Sequence, residues 1–515
     1  MKRVLMFLVY FSSLGGLEYK FNVIAEIPRS RPIGSLGFLF FIGDTDHDGL
    51  NELIFNTNYY SETHQRSTKP WEIWEYRPDD KYQLEYIGPE DTTQSCRISV
   101  LGDVDEDGLS DIIAFYSYGH CEYSKVYPDS YKTVMLESSD SFSYPTRIVW
   151  GIKYSPYSED PNYFWMYRPL IADIDNDGKN ECIISVPVLG TIFVAKCIGD
   201  NKIEFVDSSQ FKEGIGLSYH PVLNDFDGDG KFELTGTPNG LCIFENTGGY
   251  KFELSWRDTL NLPNGHDTFS SKDSDGDGKP EIFIGYHRVI GNAFWLYRWE
   301  AIGDDSYQRM RIDSVQVNAF LPGRASDCGD VDGDGIDEIV WSIGKKVFVY
   351  KATGNDKYER VWEWNVPNLD SWNDPIVGIR VYDVNKNGYA EIIASVQSDV
   401  EKVTKIFEID TTCLSISSHL PTSKPYNLSI SPNPARKSTV ISLQLPVKEI
   451  INLKVYDATG RLIKTLVKTQ RLEPKTYTIK WDGRDDKRNP LPSGVYFIRL
   501  ETGGITRTEK VILTR

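Results

Sequence analysis

The chain has 515 residues and a mass of 58.7 kDa, with 74 acidic and 56 basic residues and a net charge of −18. Aromatic residues make up 13% of it, which excludes intrinsic disorder, because disordered chains have few aromatic residues. The acidic balance argues against a nucleic-acid partner, since phosphate contacts need a basic surface. No apolar run after residue 16 is long enough for a transmembrane helix. At about 150 residues per domain, the length predicts three or four domains.

Residues 1–16 have the pattern of a secretory signal peptide. Lys2 and Arg3 form a charged start, an apolar stretch covers residues 4–11, and Ser13 and Gly15 supply small residues for cleavage near Gly15. The alternative is a buried amino-terminal strand. Once the signal is removed, we expect the mature chain to be secreted or held at the outer cell surface.

The dominant feature of the sequence is a motif that recurs seven times, with glycine at position 6 in every copy and acidic residues at positions 1, 3, 5 and 9 in six copies; the seventh copy has asparagine at positions 3 and 5. Successive copies begin 48 to 70 residues apart. We number these loops 1 to 7, and their first positions are Asp44, Asp103, Asp173, Asp225, Asp273, Asp330 and Asp383. A repeat of this length cannot bury a core of its own, so the repeats must stack or pack in a ring.

Each repeat reads as a set of short strands. An apolar or mixed segment precedes each loop and another follows it, and most repeats then add a segment rich in aromatic residues, such as WEIWEY or KVFVYK. Gly, Asn, Asp and Pro separate these segments. About four strands per repeat, seven times, predict an all-β fold and a seven-bladed β-propeller.

Because of this motif, the chain from about residue 20 to about residue 412 resembles the FG-GAP/VCBS repeats of integrin-α-type propellers. The resemblance implies a seven-bladed propeller over residues 17–413, in which each loop joins the first two strands of a blade. The segment Phe21–Ile27 lies before the first blade. We expect it to complete the last blade.

The spacing of the loops predicts metal sites. Carboxylates at positions 1, 3 and 5 can converge on one cation, glycine at position 6 permits the sharp turn, and position 9 closes the shell. Oxygen ligands favour Ca²⁺ over Mg²⁺ and over soft metals, with up to seven sites. The ligands of loops 1 to 4 are Asp44, Asp46, Asp48, Glu52, Asp103, Asp105, Asp107, Asp111, Asp173, Asp175, Asp177, Glu181, Asp225, Asp227, Asp229 and Glu233. Those of loops 5 to 7 are Asp273, Asp275, Asp277, Glu281, Asp330, Asp332, Asp334, Glu338, Asp383, Asn385, Asn387 and Glu391.

The loops have two other interpretations. An EF-hand needs flanking helices and a glutamate at position 12, where these loops have residues that cannot ligate, such as Phe55 and Trp341. The other is a solvated acidic turn without metal. Six loops carry four carboxylates each and the seventh carries two, and setting these 26 aside leaves 48 acidic against 56 basic residues. The loops therefore make the protein acidic, and loop 7 is expected to bind most weakly.

Composition changes after residue 413. Residues 414–426 form a Ser/Pro linker, and residues 427–515 alternate strands with tight turns, which predicts a small β-sandwich. The Pro432-Asn433-Pro434 entry and the segments VYDATGRLIKTL, PSGVYFIRL and KVILTR resemble a type A sorting domain of the type IX secretion system. The region also resembles the immunoglobulin-like module of flagellar-hook capping proteins. The first resemblance implies export by the type IX machinery, followed by removal of the domain or anchoring.

The sequence contains no catalytic motif, so no catalytic residues are predicted. The leading hypothesis is a secreted or surface-attached, calcium-stabilised propeller that binds an unknown glycan or protein. The alternatives are a calcium-dependent carbohydrate-active enzyme of lyase type and a structural surface-layer component. Residues that precede their loops by five or six positions could form a ring for an anionic ligand, or could make ordinary hydrogen bonds between blades. They are Arg97, Arg168, His220 and Arg324.

The chain has seven cysteines and no CxxC pair, which argues against a zinc or redox motif. Cys182, Cys197 and Cys242 lie in strand-like segments and are predicted to be small core residues. Cys96 and Cys121 flank one candidate hairpin and are the pair predicted to form a bridge.

Overall fold

The fold is taken from a computed structural model of the full chain. It describes residues 18–28, 40–56, 59–61, 66–68, 71–77, 81–87, 95–105, 107–117, 133–140, 143–152, 170–186, 190–211, 217, 221–237, 240–258, 265–289, 293–316, 325–366, 376–397, 402–414, 427–431, 433, 435–436, 438–444, 449–457, 461–472, 476–501 and 506–514. The predicted signal peptide, most of the predicted linker and the Cys96–Cys121 side chains lie outside this description.

The chain divides into two compact units. Unit 1 comprises Met1–Val331 and Ile336–Asp410, and unit 2 comprises Asp332–Gly335 and Thr411–Arg515. About two thirds of the structure is β-strand, 66%, and the described residues contain one short helix, Thr411–Leu414. The predicted all-β class is therefore confirmed. No helix among the described residues is long and apolar enough to cross a membrane.

Unit 1 contains seven antiparallel four-stranded sheets within the described residues, which we number 1 to 7 after their loops. Sheets 1 and 2 consist of Phe40–Gly43, Glu52–Asn56, Trp71–Arg77 and Lys81–Ile87, and of Ser95–Gly102, Asp111–Ser117, Thr133–Glu137 and Arg147–Ile152. Sheets 3 and 4 consist of Leu170–Ala172, Glu181–Val186, Thr191–Gly199 and Lys202–Gln210, and of Leu223–Asn224, Glu233–Gly236, Cys242–Gly248 and Lys251–Arg257. A two-stranded hairpin, Tyr59–Ser61 with Arg66–Thr68, lies between the second and third strands of sheet 1 in sequence.

The other three sheets repeat this order. Sheets 5 and 6 consist of Gly265–Ser271, Glu281–Val289, Ala293–Gly303 and Ser306–Gln316, and of Ser326–Gly329, Glu338–Ile343, Lys346–Gly354 and Lys357–Asn365. Sheet 7 consists of Ile376–Tyr382, Glu391–Gln397, Lys402–Ile409 and the amino-terminal strand Phe21–Pro28. In every sheet the acidic loop joins the first two strands, as the sequence predicted.

The third strand of sheet 3, Thr191–Gly199, is apolar along most of its length because both of its faces are covered. In sheet 3, Ile192 to Ala195 are four consecutive residues with at most 2% exposure. The fourth strand of the same sheet, Lys202–Gln210, instead alternates between buried and more exposed residues. A continuous apolar run is typical of a strand that is buried on both sides, and alternation is typical of a half-exposed one.

Consecutive sheets pack against each other through shared apolar clusters. Ile54 of sheet 1 packs with Ile112 of sheet 2, and corresponding clusters join sheets 2 to 3, 3 to 4, 4 to 5 and 5 to 6. Sheets 6 and 7 meet where the rings of Trp364 and Phe407 lie 4.9 Å apart. Sheet 7 in turn packs on sheet 1. The succession of sheets therefore closes on itself.

The amino-terminal strand confirms the prediction made for Phe21–Ile27. It pairs antiparallel with Lys402–Ile409, the third strand of sheet 7, so this sheet combines both ends of the unit. Ile27 is 1% exposed and lies in one cluster with Leu53 of sheet 1 and Ile406 of sheet 7. We call the pairing of Phe21–Pro28 with Lys402–Ile409 the clasp.

We expect Ile27→Ala to lower the free energy of unfolding by about 2–5 kcal/mol, the usual range for truncating a buried isoleucine. Urea denaturation at saturating Ca²⁺ measures it. Val23→Ala on the same strand is the control, because Val23 is 46% exposed and its truncation should change stability by about 0.5 kcal/mol or less. Equal small effects of both changes would mean that the clasp adds no stability.

The cysteines predicted as core residues are buried. Cys182, Cys197 and Cys242 are at most 5% exposed, and none of them is in a disulfide. Burial raises the pKa of the Cys182 thiol to about 12 and that of Cys242 to about 11. These thiols are therefore packing groups, as the sequence indicated.

Unit 2 has two sheets around one core. The three-stranded sheet has Asn427–Ser431, Thr439–Gln444 and Thr476–Trp481, and the five-stranded sheet has Ala435–Arg436, Thr506–Thr514, Gly494–Glu501, Glu449–Asp457 and Leu462–Leu472. Ile441 and Trp481 of the first pack in one cluster with Leu453 and Ile498 of the second. Asn433 of the predicted entry motif donates to Lys510 O at 2.8 Å and accepts from Ile512 N at 2.9 Å, which fixes it to the last strand.

Candidate metal centres

The acidic loops share one backbone conformation. The glycine at position 6 has φ between 88° and 93° in all seven loops, a region that residues with a Cβ rarely adopt. In loop 1 its N–H donates to Oδ2 of Asp44 at 3.0 Å, and the same bond is described in loops 2, 3, 4, 5 and 7 at 2.8–3.0 Å. The first aspartate thus closes the turn and directs its other oxygen toward the middle of the loop.

The carboxylate at position 9 is the most buried member of each set. It begins the second strand of its sheet and has 0% exposure in all seven loops. One of its oxygens accepts the backbone N–H of position 2, at 2.5–3.0 Å throughout. This bond holds the carboxylate under the loop, where it can complete a ligand shell.

In loops 1 to 5 the second oxygen of position 9 has no hydrogen-bond partner among the described residues. In loop 3 this oxygen, Glu181 Oε1, forms an ion pair with Lys196 Nζ at 3.1 Å. No such ion pair is described for the other four oxygens, which are Glu52 Oε1, Asp111 Oδ1, Glu233 Oε1 and Glu281 Oε1. Carboxylate oxygens of the same loops lie within 4.8 Å of one another, from four residues in loops 1, 4 and 5 and from Asp103, Asp105 and Asp111 in loop 2. A buried carboxylate without a partner is costly, so these four sets fit a bound cation.

Electrostatics agree with this fit. Burial, aided by the neighbouring loop aspartates, raises the pKa of Glu52, Asp111, Glu233 and Glu281 to about 8. The charged form is therefore disfavoured while the carboxylates face one another alone. A hard divalent cation would relieve both the burial and the repulsion, and oxygen-only ligation is the chemistry that Ca²⁺ prefers.

The loops also connect neighbouring sheets. In loops 2 and 5 one oxygen of the position 3 aspartate accepts a backbone N–H from the hairpin between the third and fourth strands of the following sheet. Asn201 N donates to Asp105 at 2.6 Å, and Asp356 N donates to Asp275 at 2.9 Å. A loop whose aspartate is held in place therefore also stabilises the contact between its sheet and the next one.

Sequence reasoning missed the residue that faces position 9 across the sheet. In sheets 1 to 5 the strand register places it directly opposite, and in sheets 6 and 7 the same register continues to it. These residues are Glu75, Glu137, Lys196, Glu245, Glu300, Lys351 and Glu408. The signal was present in the aromatic segments, each of which has a charged residue at this point.

The two lysines contact the loop carboxylates. Lys196 Nζ lies 2.9 Å from Asp175 Oδ2, 2.7 Å from Asp177 Oδ2 and 3.1 Å from Glu181 Oε1. Burial opposes its charge, but the hydrogen bonds to these carboxylates outweigh burial and raise the pKa of Lys196. Lys351 Nζ donates to Glu338 Oε1 at 2.7 Å.

Loop 5 has a cation of a different kind. Arg298 is 2% exposed and donates to Asp275 Oδ2 at 2.9 Å. It also forms ion pairs with Glu300 and with Asp356 of sheet 6. Among the residues that the structure describes, Asp275 Oδ1 and Glu281 Oε1 still have no hydrogen-bond partner, so the arginine lies at the edge of this loop and does not fill it.

Loop 7 is closed by amides. Asn385 Nδ2 donates to Glu391 Oε1 and, at 3.1 Å, to Glu408 Oε1, while Asn387 Nδ2 also donates to Glu408. Both amides therefore direct N–H groups at the carboxylates. The weak Ca²⁺ binding predicted for loop 7 has a physical basis here, because amide N–H groups occupy the carboxylate oxygens that a cation would need.

We expect Asn385→Asp with Asn387→Asp to add one tight Ca²⁺ site, because affinity in such loops follows ligand charge. Calorimetric titration of the variant and the wild type measures it. Asn385→Ala with Asn387→Ala is the control, which removes the amide donors without adding charge and should add no tight site. A charged variant that gains no site would show that charge does not limit loop 7.

The predicted anionic-ligand residues cannot be placed. Three of them lie outside the described residues: Arg168, His220 and Arg324. The backbone of Arg97 lies on a described strand, but its side chain is not described. Their grouping therefore remains a prediction.

Comparison with known families agrees with both sequence motifs. An FG-GAP-like repeat matches residues 330–394, which span loops 6 and 7. A secretion system C-terminal sorting domain matches residues 429–514, which is nearly all of unit 2 after the linker. The chain carries an FG-GAP-like repeat and a secretion-system sorting domain. The sorting domain indicates export by the type IX system, to the cell surface or into the medium.

A search of curated proteins finds no match to this FG-GAP-repeat chain. Similar solved structures include BBS1N in complex with ARL6DN, with 12% identity over 76% of this chain and 98% of that one and a TM-score of 0.47. PorZ, a surface component of the type IX secretion system of Porphyromonas gingivalis, has 11% identity over 90% and 74% and a TM-score of 0.26. The periplasmic gluconolactonase PpgL of Pseudomonas aeruginosa has 11% identity over 53% and 69% and a TM-score of 0.32.

Proposed function

We propose that unit 1 is a calcium-stabilised, seven-bladed β-propeller that the sorting domain delivers to the cell surface, where it acts as a binding or adhesion protein. Seven four-stranded sheets that close on themselves support the propeller. The observation that carries the calcium role is the fully buried position 9 carboxylate, whose second oxygen has neither a hydrogen-bond partner nor an ion pair in loops 1, 2, 4 and 5 of the described structure. A cation bound by the whole set would satisfy these oxygens together.

The role of the metal in this proposal is structural. The loop residues hold the ion, and their second oxygens hold the next sheet, so calcium binding stabilises the contact between sheets. Each loop holds its ligands at the start of a strand, on a rigid scaffold. The proposal assigns no catalytic role, because the acidic residues are committed to the metal and the sequence has no catalytic motif.

An array of glycans and extracellular-matrix proteins, probed with the mature protein in Ca²⁺ and in EGTA, tests the binding role. We expect binding to at least one class of ligand in Ca²⁺ and its loss in EGTA. Cleavage of an arrayed polysaccharide would instead establish the enzyme alternative. A regular lattice of the protein on native cells, with no bound ligand, would establish the surface-layer alternative.

A further inference from the structure

We propose that loops 3 and 6 hold a lysine ammonium where the other loops hold a metal ion, so that the residue opposite position 9 decides which loops take calcium. This inference rests on the proposed calcium role and makes it specific. It assigns loops 1, 2, 4 and 5 to the metal and makes loops 3 and 6 independent of it.

The strand register brings one residue of each sheet to the loop. The same position in the third strand of every sheet faces the position 9 carboxylate, and it is glutamate in five sheets and lysine in two. A glutamate here adds negative charge beside the loop, and a lysine brings a cation to it. Lys196 and Lys351 are in sheets 3 and 6. Two sheets lie between them on one side of the closed succession, and three lie between them on the other.

The geometry of Lys196 supports the inference. Its ammonium has three N–H donors, and Nζ lies within 3.1 Å of one oxygen each from positions 3, 5 and 9. Three of the four side-chain ligands of a metal are thus engaged by one internal cation. The side chain is 11% exposed, so the ammonium is largely withdrawn from solvent.

Lys351 repeats the decisive part of this geometry. Its Nζ lies 2.7 Å from Glu338 Oε1, the position 9 oxygen that corresponds to the oxygens without partners in loops 1, 4 and 5. The lysine side chain is 5% exposed and the glutamate 0%. A metal ion that bound to this oxygen would have to displace the ammonium or lie against it, and both are unfavourable.

The contrast with the other loops completes the argument. In the described structure, Glu52, Asp111, Glu233 and Glu281 each keep one buried oxygen with neither a hydrogen bond nor an ion pair, whereas the corresponding oxygen of Glu181 lies 3.1 Å from Lys196 Nζ. In sheet 5 a buried arginine is nearby, but Arg298 reaches the outer oxygen of Asp275 and leaves Glu281 Oε1 open. Only a lysine opposite position 9 therefore takes the place of the ion.

Calcium titration of the full chain by calorimetry tests the inference, with Ca²⁺ as the probe. We expect the wild type to bind at most five ions. Lys196→Met and Lys351→Met should each add one site, and the double variant two, because methionine keeps the length of the side chain and removes the ammonium. In the reverse direction, Glu245→Lys in sheet 4 should remove one site, whereas the matched control Glu245→Gln should keep it.

A crystal structure of the wild type grown in Ca²⁺ locates the ions without any substitution. We expect ions in loops 1, 2, 4 and 5 and none in loops 3 and 6. An ion in loop 3 or 6, or methionine variants with an unchanged number of sites, would overturn the inference while leaving the calcium role intact. A wild type that binds no Ca²⁺ would overturn the calcium role itself.

Discussion

Removal of calcium is expected to lower the melting temperature of unit 1 by about 10–15 °C. A site at a hundredfold excess of ligand over its Kd adds about 2.7 kcal/mol, so the four loops with unpartnered oxygens add about 11 kcal/mol. Unfolding entropies near 2.1 cal/mol/K per residue convert this into the stated shift for a unit of this size. The loss should be reversible, because metal binds the folded loops and not the unfolded chain.

Scanning calorimetry in EGTA, in Ca²⁺ and in Mg²⁺ measures this effect, with Mg²⁺ expected to restore little of it. Glu233→Gln is the informative variant. At neutral pH the metal-free fold must protonate this buried carboxyl, whose pKa burial raises to about 8, and the glutamine variant avoids that cost, so it should melt higher than the wild type in EGTA at pH 7. Its melting temperature should also rise less on addition of Ca²⁺, since the variant lacks the position 9 ligand of the loop 4 metal site. Superimposed melting curves of the wild type in EGTA and Ca²⁺ would refute the calcium role.

Deletion of residues 427–515 is expected to abolish delivery to the cell surface while leaving unit 1 folded. Unit 2 has its own core, in which Leu443, Val455, Trp481 and Leu500 are fully buried. Its removal should therefore leave the melting temperature of unit 1 in Ca²⁺ nearly unchanged. Surface proteolysis and fractionation of cells that express the truncated chain measure delivery.

The converse experiment guards against a simple loss of expression. Residues 427–515 fused to an unrelated secreted protein should carry that protein to the surface of cells with a type IX system. Arrival of the truncated chain at the surface would contradict the sorting role. Failure of the fusion alone would limit that role to the native combination of domains.

Much of the fold could be predicted because its signals are local. The alternation of apolar and polar residues shows the strands, and the spacing of aspartates around one glycine shows the loops. Phe21–Ile27 could be assigned to sheet 7 because a strand outside the repeats must find an unpaired edge. These features need only short stretches of sequence.

The distinction between loops that face a glutamate and loops that face a lysine could not be predicted in the same way, because it depends on strand register. Glu233 and Glu245 face each other at a separation of 12 residues, and Asp111 and Glu137 at a separation of 26, because the connections differ in length. No fixed spacing identifies the facing residue, and a shift of one residue would turn it to the other face. The lysine contacts therefore became visible only with the sheets assembled.

The clasp sets the order in which this protein can finish folding. Glu26 and Lys405 are 379 residues apart and are joined by an ion pair across it. So distant a contact forms late, after the intervening sheets have shortened the path between its ends. Until then Lys402–Ile409 is an unpaired edge, open to pairing with another chain. When the chain is synthesised or exported from its amino terminus, Phe21–Pro28 therefore stays unpaired until almost all of unit 1 has followed it. We expect a high local concentration of such chains to favour pairing of this strand with the free edge of a neighbouring chain.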